Sequence, residues 1–320
     1  MASEPDNILI TGANGQLGTE LLYALRARFG ADRTIATDLR PGPTQGGPAD
    51  GPFETLDVLD ATRLDALVER YRVTQVYHLA AVLSARGEQD PQASWRINVD
   101  GLLNVLRVAA ARRLRVYWPS SIAVFGPKTP RQRTPQDTLM NPTTVYGIAK
   151  QTGEQWCDYY HRRHGLDVRS LRYPGLIGHR ARPGGGTTDY AVDIFYRAAA
   201  GQPYTCFLAP DTYLPMMYMP DAVRATLQLM DAPADRVRVR TSYNVSALSF
   251  SPAEVAAAIR RHVPDFTVEY APDFRQSIAD SWPDSVDDAA ARADWGWQPE
   301  YNLAGMTADM LKHLRVGTEV

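Results

Sequence analysis

The chain has 320 residues, of which 44% are hydrophobic and 22% charged, and its formal net charge at pH 7 is −2. This composition is typical of a soluble globular protein, and the length is sufficient for two lobes. A net charge so close to zero excludes an electrostatic case for binding nucleic acid or an anionic membrane surface.

The sequence also bears on the compartment in which the protein works. No segment reaches membrane-spanning length, and the short acidic stretch before the first predicted strand leaves no room for a leader. Cys157 and Cys206 are too few for a disulfide framework and are typical of packed thiols in a reducing compartment. We therefore expect a cytoplasmic protein.

A strand, a glycine-rich turn and a helix are predicted in succession at the start of the chain. The apolar run over residues 7–10 is typical of a buried parallel strand. Gly12, Gly15 and Gly18 follow it, and leucines then recur at helical spacing. Glycines let the main chain approach phosphates closely, while a helix start offers unpaired N–H groups and a positive dipole end. The order predicts a dinucleotide diphosphate site that includes Gln16 and Leu17.

The next apolar run ends at Asp38, 20 residues beyond Gly18. A carboxylate at this place can accept hydrogen bonds from an adenosine ribose and would repel a 2′-phosphate. The pattern therefore favours NAD over NADP, with Leu39 and Arg40 beside the ribose. Arg40 keeps NADP open as an alternative, because its guanidinium could bind a phosphate.

Strands and helices keep alternating as far as about residue 175. Strands are predicted at 34–37, 53–56, 75–81, 115–119 and 168–173, and helices at 60–71, 93–113 and 144–164. The strand at 75–81 ends in Leu79, Ala80 and Ala81. The small alanine side chains at its carboxyl end leave room for a flat ligand. This alternation predicts an α/β fold with a doubly wound parallel sheet.

The alternation weakens after residue 175, where a smaller second lobe is expected. We predict a dinucleotide-binding domain over residues 1–175, with a return segment at about 212–246, and a substrate-binding lobe over residues 176–320. Glycines cluster at residues 184–186, and Ser251 and Glu254 have the spacing of a capping box before a helix.

Tyr146 and Lys150 are four residues apart, so they share one face of the predicted helix. A phenol of pKa near ~10 is a poor base at neutral pH, and lowering that pKa to about 7 requires roughly 4 kcal/mol. A close ammonium and an oxidised nicotinamide would both favour the phenolate. Ser121 follows a strand that ends at the same sheet edge, where its hydroxyl could hold a reacting alcohol.

These motifs together resemble those of the extended short-chain dehydrogenase/reductase superfamily. The set is Gly12-x-x-Gly15-x-x-Gly18, Asp38, Asp57-Val58, Leu79-Ala80-Ala81, Ser120-Ser121-x-x-x-Phe125-Gly126 and Tyr146-x-x-x-Lys150. The resemblance implies that Ser121, Tyr146 and Lys150 form the catalytic set. It also implies that Asp57 and Val58 border the adenine, that Tyr173 lies beside the nicotinamide, and that Asn98 supports the active-site strand.

The C-terminal half narrows the resemblance. The stretches 171–177, 183–191 and 214–219 are similar to those of the short-chain type of L-threonine 3-dehydrogenase. That similarity implies oxidation of the threonine 3-hydroxyl by NAD to 2-amino-3-oxobutyrate. Ser84, Thr187 and Thr188 would then hold the substrate carboxylate, and Trp282 would close the pocket. A glycine-rich surface loop with capping threonines, and a tryptophan that packs a core, are the alternatives for these residues.

Two other functions remain open for this sequence. A nucleotide-sugar 4-epimerase of the same superfamily is the nearest rival, and a non-catalytic NAD-sensing regulator is a more distant one. The histidines and cysteines lack the spacing of metal ligands, which favours a metal-independent mechanism. The helices at 93–113 and 144–164 could pair with their copies, and the resemblance implies a homodimer of this kind.

Overall fold

The computed structural model describes residues 5–42, 50–182, 184 and 186–316. Much of the loop predicted between residues 41 and 52, and Pro183 and Gly185 of the glycine cluster, therefore lie outside the described residues. The strands and helices, in chain order, are β1 (Ile8–Thr11), α1 (Gln16–Phe29), β2 (Thr34–Asp38), β3 (Phe53–Thr55), α2 (Ala61–Arg70), β4 (Gln75–His78), α3 (Ser84–Gly87), α4 (Pro91–Trp95), α5 (Gly101–Arg112), β5 (Arg115–Ser121), α6 (Val145–His164), β6 (Asp167–Tyr173), β7 (Gly175–Ile177), α7 (Tyr190–Ala199), β8 (Tyr204–Cys206), β9 (Leu214–Tyr218), α8 (Met219–Asp231), β10 (Tyr243–Asn244), β11 (Leu248–Phe250), α9 (Pro252–Arg260), β12 (Val268–Tyr270), α10 (Arg275–Asp280), α11 (Ala289–Trp295) and α12 (Leu303–Val316).

The main sheet has seven strands in the described part of the chain, in the order β10-β6-β5-β4-β1-β2-β3. Every neighbouring pair in it is parallel. Helices cover both faces: α1 and α8 pack on one, and α2, α5 and α6 on the other. The predicted doubly wound parallel sheet is confirmed, and the carboxyl ends of its strands meet at one edge.

The helix predicted at 93–113 is observed as a composite. Between α4 and α5 the chain forms a π-helical turn over Arg96–Asp100, so the helical path runs from Pro91 to Arg112. Single π turns inside α-helices are rare and are frequent at functional sites. Here the turn carries Asn98.

The second part of the chain has its own small sheets and its own core. β9 pairs with β7 and β11, and β12 pairs with β8. The return segment predicted at about 212–246 is only partly correct. Its first strand, β9, belongs to this second sheet and not to the main one, and β10 is the part that returns. We propose to keep the lobe boundary near residue 175, since β7 is the first strand outside the main sheet.

Local capping fixes where two of the helices begin. The Thr144 hydroxyl accepts a hydrogen bond from the Gly147 amide at 3.0 Å, which starts α6. Ser251 and Glu254 form the predicted capping box, with both reciprocal bonds present, at the start of α9. Because Tyr146 and Lys150 lie in the first two turns of α6, the Thr144 cap also sets their height above the sheet.

Candidate active site

The glycine turn after β1 is shaped by backbone contacts that leave no room for side chains. Gly12 has a φ of +71°, and a Cβ there would lie 2.7 Å from the Ala80 amide nitrogen. A Cβ on Gly18 would lie 2.2 Å from the Gly12 carbonyl oxygen. Gly12 thus permits the left-handed backbone, and Gly18 lets α1 pack directly on the turn.

Helix α1 starts at this turn without a capping side chain, because its N-cap residue is Gly15. The first N–H groups of a helix have no partner within the helix, and the dipole adds positive potential there. Gln16 and Leu17, the first two residues of α1, line the cleft together with Gly12, Gly15 and Gly18. This arrangement fits a diphosphate, because it offers backbone donors and a surface that any Cβ would obstruct.

Asp38 lies at the end of β2, beside the glycine turn. Its carboxylate accepts hydrogen bonds from the amides of Asn14 and Arg40, at 3.0 and 3.1 Å. The Arg40 Nε lies 3.6 Å from the same carboxylate, so the guanidinium is paired with Asp38. A carboxylate has about four acceptor positions, so Asp38 keeps capacity for ribose hydroxyls. Leu39, the neighbour predicted to lie beside the ribose, is 66% exposed.

Asp57 and Val58, which the resemblance places beside the adenine, lie in a short turn after β3. Asp57 is exposed and its side chain accepts a hydrogen bond from the Leu59 amide at 2.9 Å. Val58 is buried, and its carbonyl accepts a hydrogen bond from the Asn104 side chain at 3.0 Å. The sequence analysis did not identify Asn104 as the residue that holds Val58. The available signal was a polar residue on the face of α5 that packs against the sheet.

Asn98 contacts protein backbone on both sides of its amide. Its Oδ1 accepts a hydrogen bond from the Val82 amide at 2.8 Å, and its Nδ2 donates to the Val82 carbonyl at 3.0 Å. These two bonds hold the segment that follows Leu79, Ala80 and Ala81. Asn98 therefore holds the segment after β4 and is not among the residues that line the cleft.

Ser121, Tyr146 and Lys150 are brought together at the carboxyl ends of the strands. All three line one cleft with the glycine turn, which has about 1080 Å³ of space including its open mouth. The Lys150 ammonium donates to the Pro119 carbonyl at 2.5 Å. It also lies 5.5 Å from the centre of the Tyr146 ring and 4.5 Å from that of Trp118. The lysine is therefore fixed between β5 and the phenol ring.

Burial dominates the acid–base properties of this trio. It raises the pKa of Tyr146 to about 12, and a hydrogen bond from Ser121 opposes that rise. It lowers the pKa of Lys150 to about 7, against the favourable charge of Glu154. Ionising the phenol therefore requires a larger shift than its ordinary pKa suggests, and a positive charge from a bound ligand would have to supply part of it.

The predicted substrate residues approach the same cleft from the second lobe and from the segment after β4. Ser84, Thr187, Thr188 and Trp282 all line it. Thr187 is 1% exposed, and its hydroxyl has no hydrogen-bond partner among the described residues. An unpartnered buried hydroxyl is costly, so a ligand that accepts or donates a bond there would be favoured.

Tyr173 reaches the cleft, but its phenol points the other way. Its hydroxyl bonds to the Tyr117 hydroxyl at 2.7 Å and to Thr226, inside the core beneath the sheet. The structure also places Leu83, Gly186 and Asp189 in the cleft lining, which sequence reasoning missed. Gly186 and Asp189 are joined by a bond from the Gly186 amide to the Asp189 carboxylate at 2.7 Å.

A buried ion pair below the cleft was also missed. Glu154 and Arg172 are 0% and 3% exposed, and they are joined by two hydrogen bonds at 2.7 and 2.8 Å. The available signal was a glutamate four residues after Lys150, on the same helix face. Within the described ranges, His, Cys, Asp and Glu form no group of three or more that could hold a metal ion. Nor is any described helix long and apolar enough to cross a membrane.

Comparison with known proteins now decides the family. The NAD dependent epimerase/dehydratase family matches residues 8–246. The chain belongs to this family. An uncharacterised epimerase/dehydratase of Staphylococcus haemolyticus is 47% identical over 309 residues, covering 96% of this chain and 97% of that protein. The extended short-chain dehydrogenase resemblance is thereby confirmed, and NAD is the cofactor of this epimerase/dehydratase-family enzyme.

Solved structures of similar sequence are threonine dehydrogenases. The holo form of L-threonine dehydrogenase from Cupriavidus necator is 58% identical, with a TM-score of 0.94 over 96% of this chain and 99% of that chain. The enzyme from Clostridium difficile is 46% identical, with a TM-score of 0.95 over 98% of each chain. UDP-glucose 4-epimerase from Thermotoga maritima shares the fold alone. It is 20% identical, with a TM-score of 0.85 over 98% of this chain and 99% of that chain.

Proposed function

We propose that this epimerase/dehydratase-family member is an NAD-dependent L-threonine 3-dehydrogenase that forms 2-amino-3-oxobutyrate. The observation that carries the proposal is the single cleft shared by the glycine turn, the Ser121, Tyr146 and Lys150 side chains, and the unpartnered Thr187 hydroxyl. The similarity to threonine dehydrogenases over nearly the whole chain supports it.

The proposed chemistry assigns one task to each catalytic residue. Ser121 holds the oxygen of the substrate hydroxyl, and Tyr146 takes its proton. Lys150 stabilises the phenolate form in which Tyr146 acts as the base, through an ammonium that the Pro119 carbonyl holds beside the Tyr146 ring. Taking the proton converts that phenolate to the neutral phenol. When bound, NAD supplies the acceptor for the hydride that leaves C3 and a positive ring that favours the phenolate.

The substrate side fits a small zwitterion. Ser84 and Thr187 are buried hydroxyl donors, and Thr188 adds a third. Helix α7 starts at Tyr190, directly after this segment, so the positive end of its dipole favours a carboxylate nearby. Trp282 is 5% exposed and contributes an apolar wall to the pocket. These residues account for a carboxylate and a short side chain.

The epimerase reading is less well supported by the cleft. A nucleotide sugar carries a second diphosphate, which calls for basic side chains, whereas the described cleft lining contains Lys150 as its one cation. The regulator reading needs no tyrosine–lysine pair. Both alternatives predict that threonine yields no NADH.

The test is a spectrophotometric assay of NADH formation by the purified enzyme with NAD and a panel of substrates. The panel contains L-threonine, L-serine, other hydroxy amino acids and UDP-glucose. We expect NADH formation with L-threonine, and 2-amino-3-oxobutyrate or its decarboxylation product by mass spectrometry. Isomerisation of the sugar without net NADH would establish the epimerase, and NAD binding without turnover of any substrate would establish the regulator.

We also propose that the enzyme works as a homodimer through α4 and α6. Trp95 on the first and Ile148 and Tyr159 on the second are 39%, 43% and 46% exposed. These two helices contact each other, and large exposed apolar side chains on neighbouring helices are typical of an interface. Light scattering during size-exclusion chromatography tests this directly, since a monomer across the micromolar range contradicts it.

A further inference from the structure

A row of buried polar side chains lies on one face of the main sheet at the floor of the cleft, which Ser120 also lines. The strand registers pair Thr11 with His78, Ser120 with Arg172, and Arg172 with Asn244. Each of these residues is no more than 3% exposed. Buried polar groups are costly unless they are well paired, so a row at this position requires compensation.

Glu154 on α6 provides that compensation at the centre of the row. Its Oε1 accepts hydrogen bonds from the Ser120 hydroxyl at 2.6 Å and from the Arg172 Nε at 2.8 Å. Its Oε2 accepts a third bond from Arg172 at 2.7 Å. Arg172 also donates to the Gln136 carbonyl and to Asn244, at 2.9 and 3.1 Å. One carboxylate thus joins α6 to two strands and, through Arg172, to a third.

The chain neighbours of these contacts are the residues proposed to act on the substrate. Ser120 immediately precedes Ser121. Glu154 follows Lys150 by one helical turn and Tyr146 by two, all on one face of α6. A rotation of α6 against the end of β5 would separate Ser121 from Tyr146, and the Glu154 contacts oppose that rotation. Glu154 itself is fully buried and is not part of the cleft lining.

We propose that Glu154 is a positioning residue for the dehydrogenase reaction: through Ser120 and Arg172 it holds the end of β5 against α6, and so keeps Ser121, Tyr146 and Lys150 in register. This inference rests on the proposed function for its reaction, but its geometry belongs to the chain alone. Glu154 touches neither substrate nor cofactor in this account, so it acts only through its neighbours.

The same carboxylate also sets the electrostatic surroundings of Lys150. The titratable groups facing that ammonium are Tyr146, Glu154 and Cys157 on α6 and His78 on β4, with Arg172 of β6 beyond Glu154. Burial keeps Tyr146, Cys157 and His78 neutral at pH 7, since it raises the pKa of the first two and lowers that of His78 to about 3. Glu154 supplies the negative charge in this set.

The test compares Glu154→Gln with wild type and with a matched control, Asp294→Asn. The glutamine keeps the shape and a hydrogen-bond acceptor but removes the charge. Asp294 is a second carboxylate, 3% exposed and ion-paired with Arg238, and it lies outside the cleft lining. Three quantities are measured: kcat and KM for L-threonine, the dissociation constant of NAD, and the titration of Lys150.

The lysine titration uses a favourable property of the sequence. The chain has three lysines, Lys128, Lys150 and Lys312, so ¹³C-lysine labelling gives three resolvable signals in the apo protein. Loss of the neighbouring negative charge makes the ammonium less favourable, so the Lys150 titration should move to lower pH in Glu154→Gln. Lys128 and Lys312 serve as internal references and should not move.

For the kinetics, we expect Glu154→Gln to lower kcat about 10- to 100-fold, the loss typical of catalytic groups displaced by a fraction of an ångström to one ångström. KM and the NAD dissociation constant should stay within about threefold, because the glycine turn is untouched. Asp294→Asn should lose a similar amount of thermal stability while retaining kcat. A kcat of Glu154→Gln within about twofold of wild type, or a loss matched by Asp294→Asn, overturns the proposal.

Two further outcomes remain decisive. If wild type does not oxidise threonine, the proposed function fails, and a thermal stability of Glu154→Gln equal to that of wild type then overturns the link between α6 and the strands independently. If Glu154→Gln does not fold, Ser120→Ala replaces it, because that change removes only the bond from β5 and leaves the ion pair intact. Ser120→Ala should lower kcat at least about threefold without moving the Lys150 titration, and wild-type kcat in this variant overturns the proposal.

Discussion

The two sides of the cleft are built in different ways. The cofactor side is made of backbone: Gly12, Gly15 and Gly18 act through the absence of side chains, and Asp38 is fixed by two amide donors. The proposed substrate side is made of side chains from distant segments, with Ser84, Thr187 and Trp282 meeting only in the folded chain. The first can therefore be inferred from one continuous stretch of sequence, whereas the second depends on the whole fold.

The largest expected loss of activity comes from replacing Tyr146, which lies between the cofactor side and the substrate side of the cleft. Tyr146→Phe should lower kcat about 1000-fold, since a general base contributes 10²–10⁴-fold, while NAD affinity stays within about threefold. The measurements are NADH formation and NAD titration by calorimetry. Tyr213→Phe, at an exposed tyrosine outside the cleft lining, is the control and should retain full activity. Turnover above about a tenth of wild type in Tyr146→Phe would remove this residue from the role of base.

The next largest effect is expected from a change in the glycine turn, which affects only the cofactor side of the cleft. Gly18→Ala places a methyl group 2.2 Å from the Gly12 carbonyl oxygen, so the turn or the helix must move. We expect a loss of at least about 2 kcal/mol in the free energy of unfolding and at least about 100-fold in NAD affinity. Urea unfolding and NAD titration measure these.

Gly305→Ala is the matched control for that variant. A Cβ at Gly305 would meet nothing nearer than 3.5 Å, so stability and NAD affinity should hold. If Gly18→Ala binds NAD as tightly as Gly305→Ala does, the cofactor does not approach the turn closely.

A smaller effect sharpens the substrate side. Thr187→Val keeps the shape but removes the unpartnered buried hydroxyl, and a hydrogen bond to a charged group contributes about 1.5–3 kcal/mol. We expect kcat/KM for L-threonine to fall about 10- to 100-fold with the NAD dissociation constant unchanged. The exposed Thr205 on β8 gives the control Thr205→Val. An unaltered kcat/KM in Thr187→Val would place the substrate elsewhere in the cleft.

The smallest effect concerns the pH dependence of stability. Folding lowers the pKa of Lys150 from 10.5 to about 7, so between these values the unfolded chain binds the extra proton and stability rises with pH. The difference in unfolding free energy between wild type and Lys150→Met should therefore grow in favour of wild type by up to about 2 kcal/mol from pH 7 to 9.

Urea unfolding of the apo proteins at several pH values measures that difference. Below pH 7 it should level off, because Lys150 is then protonated in both states. Lys312→Met, at an exposed lysine, should give a difference that is flat throughout. A flat line for Lys150→Met as well would mean that the ammonium is better solvated than its burial implies.

The sequence predicted those features whose residues all lie within one short stretch of the chain. The parallel strands, the glycine turn and the Tyr146–Lys150 spacing each lie within a short stretch, and the sheet they imply is observed. The placement of β9 was not predictable in this way, because its apolar residues suit either sheet and tertiary pairing decides between them. Glu154 and Arg172 were missed for a related reason, since charged residues are normally exposed and only their partners explain their burial.

The π turn at Arg96–Asp100 holds one residue more per turn than the α-helices on either side of it. Deleting a single residue there would restore a regular helix but would rotate everything before it by about 100° relative to α5. Asn98 would then face away from Val82, and the segment after Leu79 would lose the two hydrogen bonds that hold it. The extra residue of the π turn thus sets the direction in which Asn98 points, and a regular α-helix here would leave the segment beside the cleft less well held.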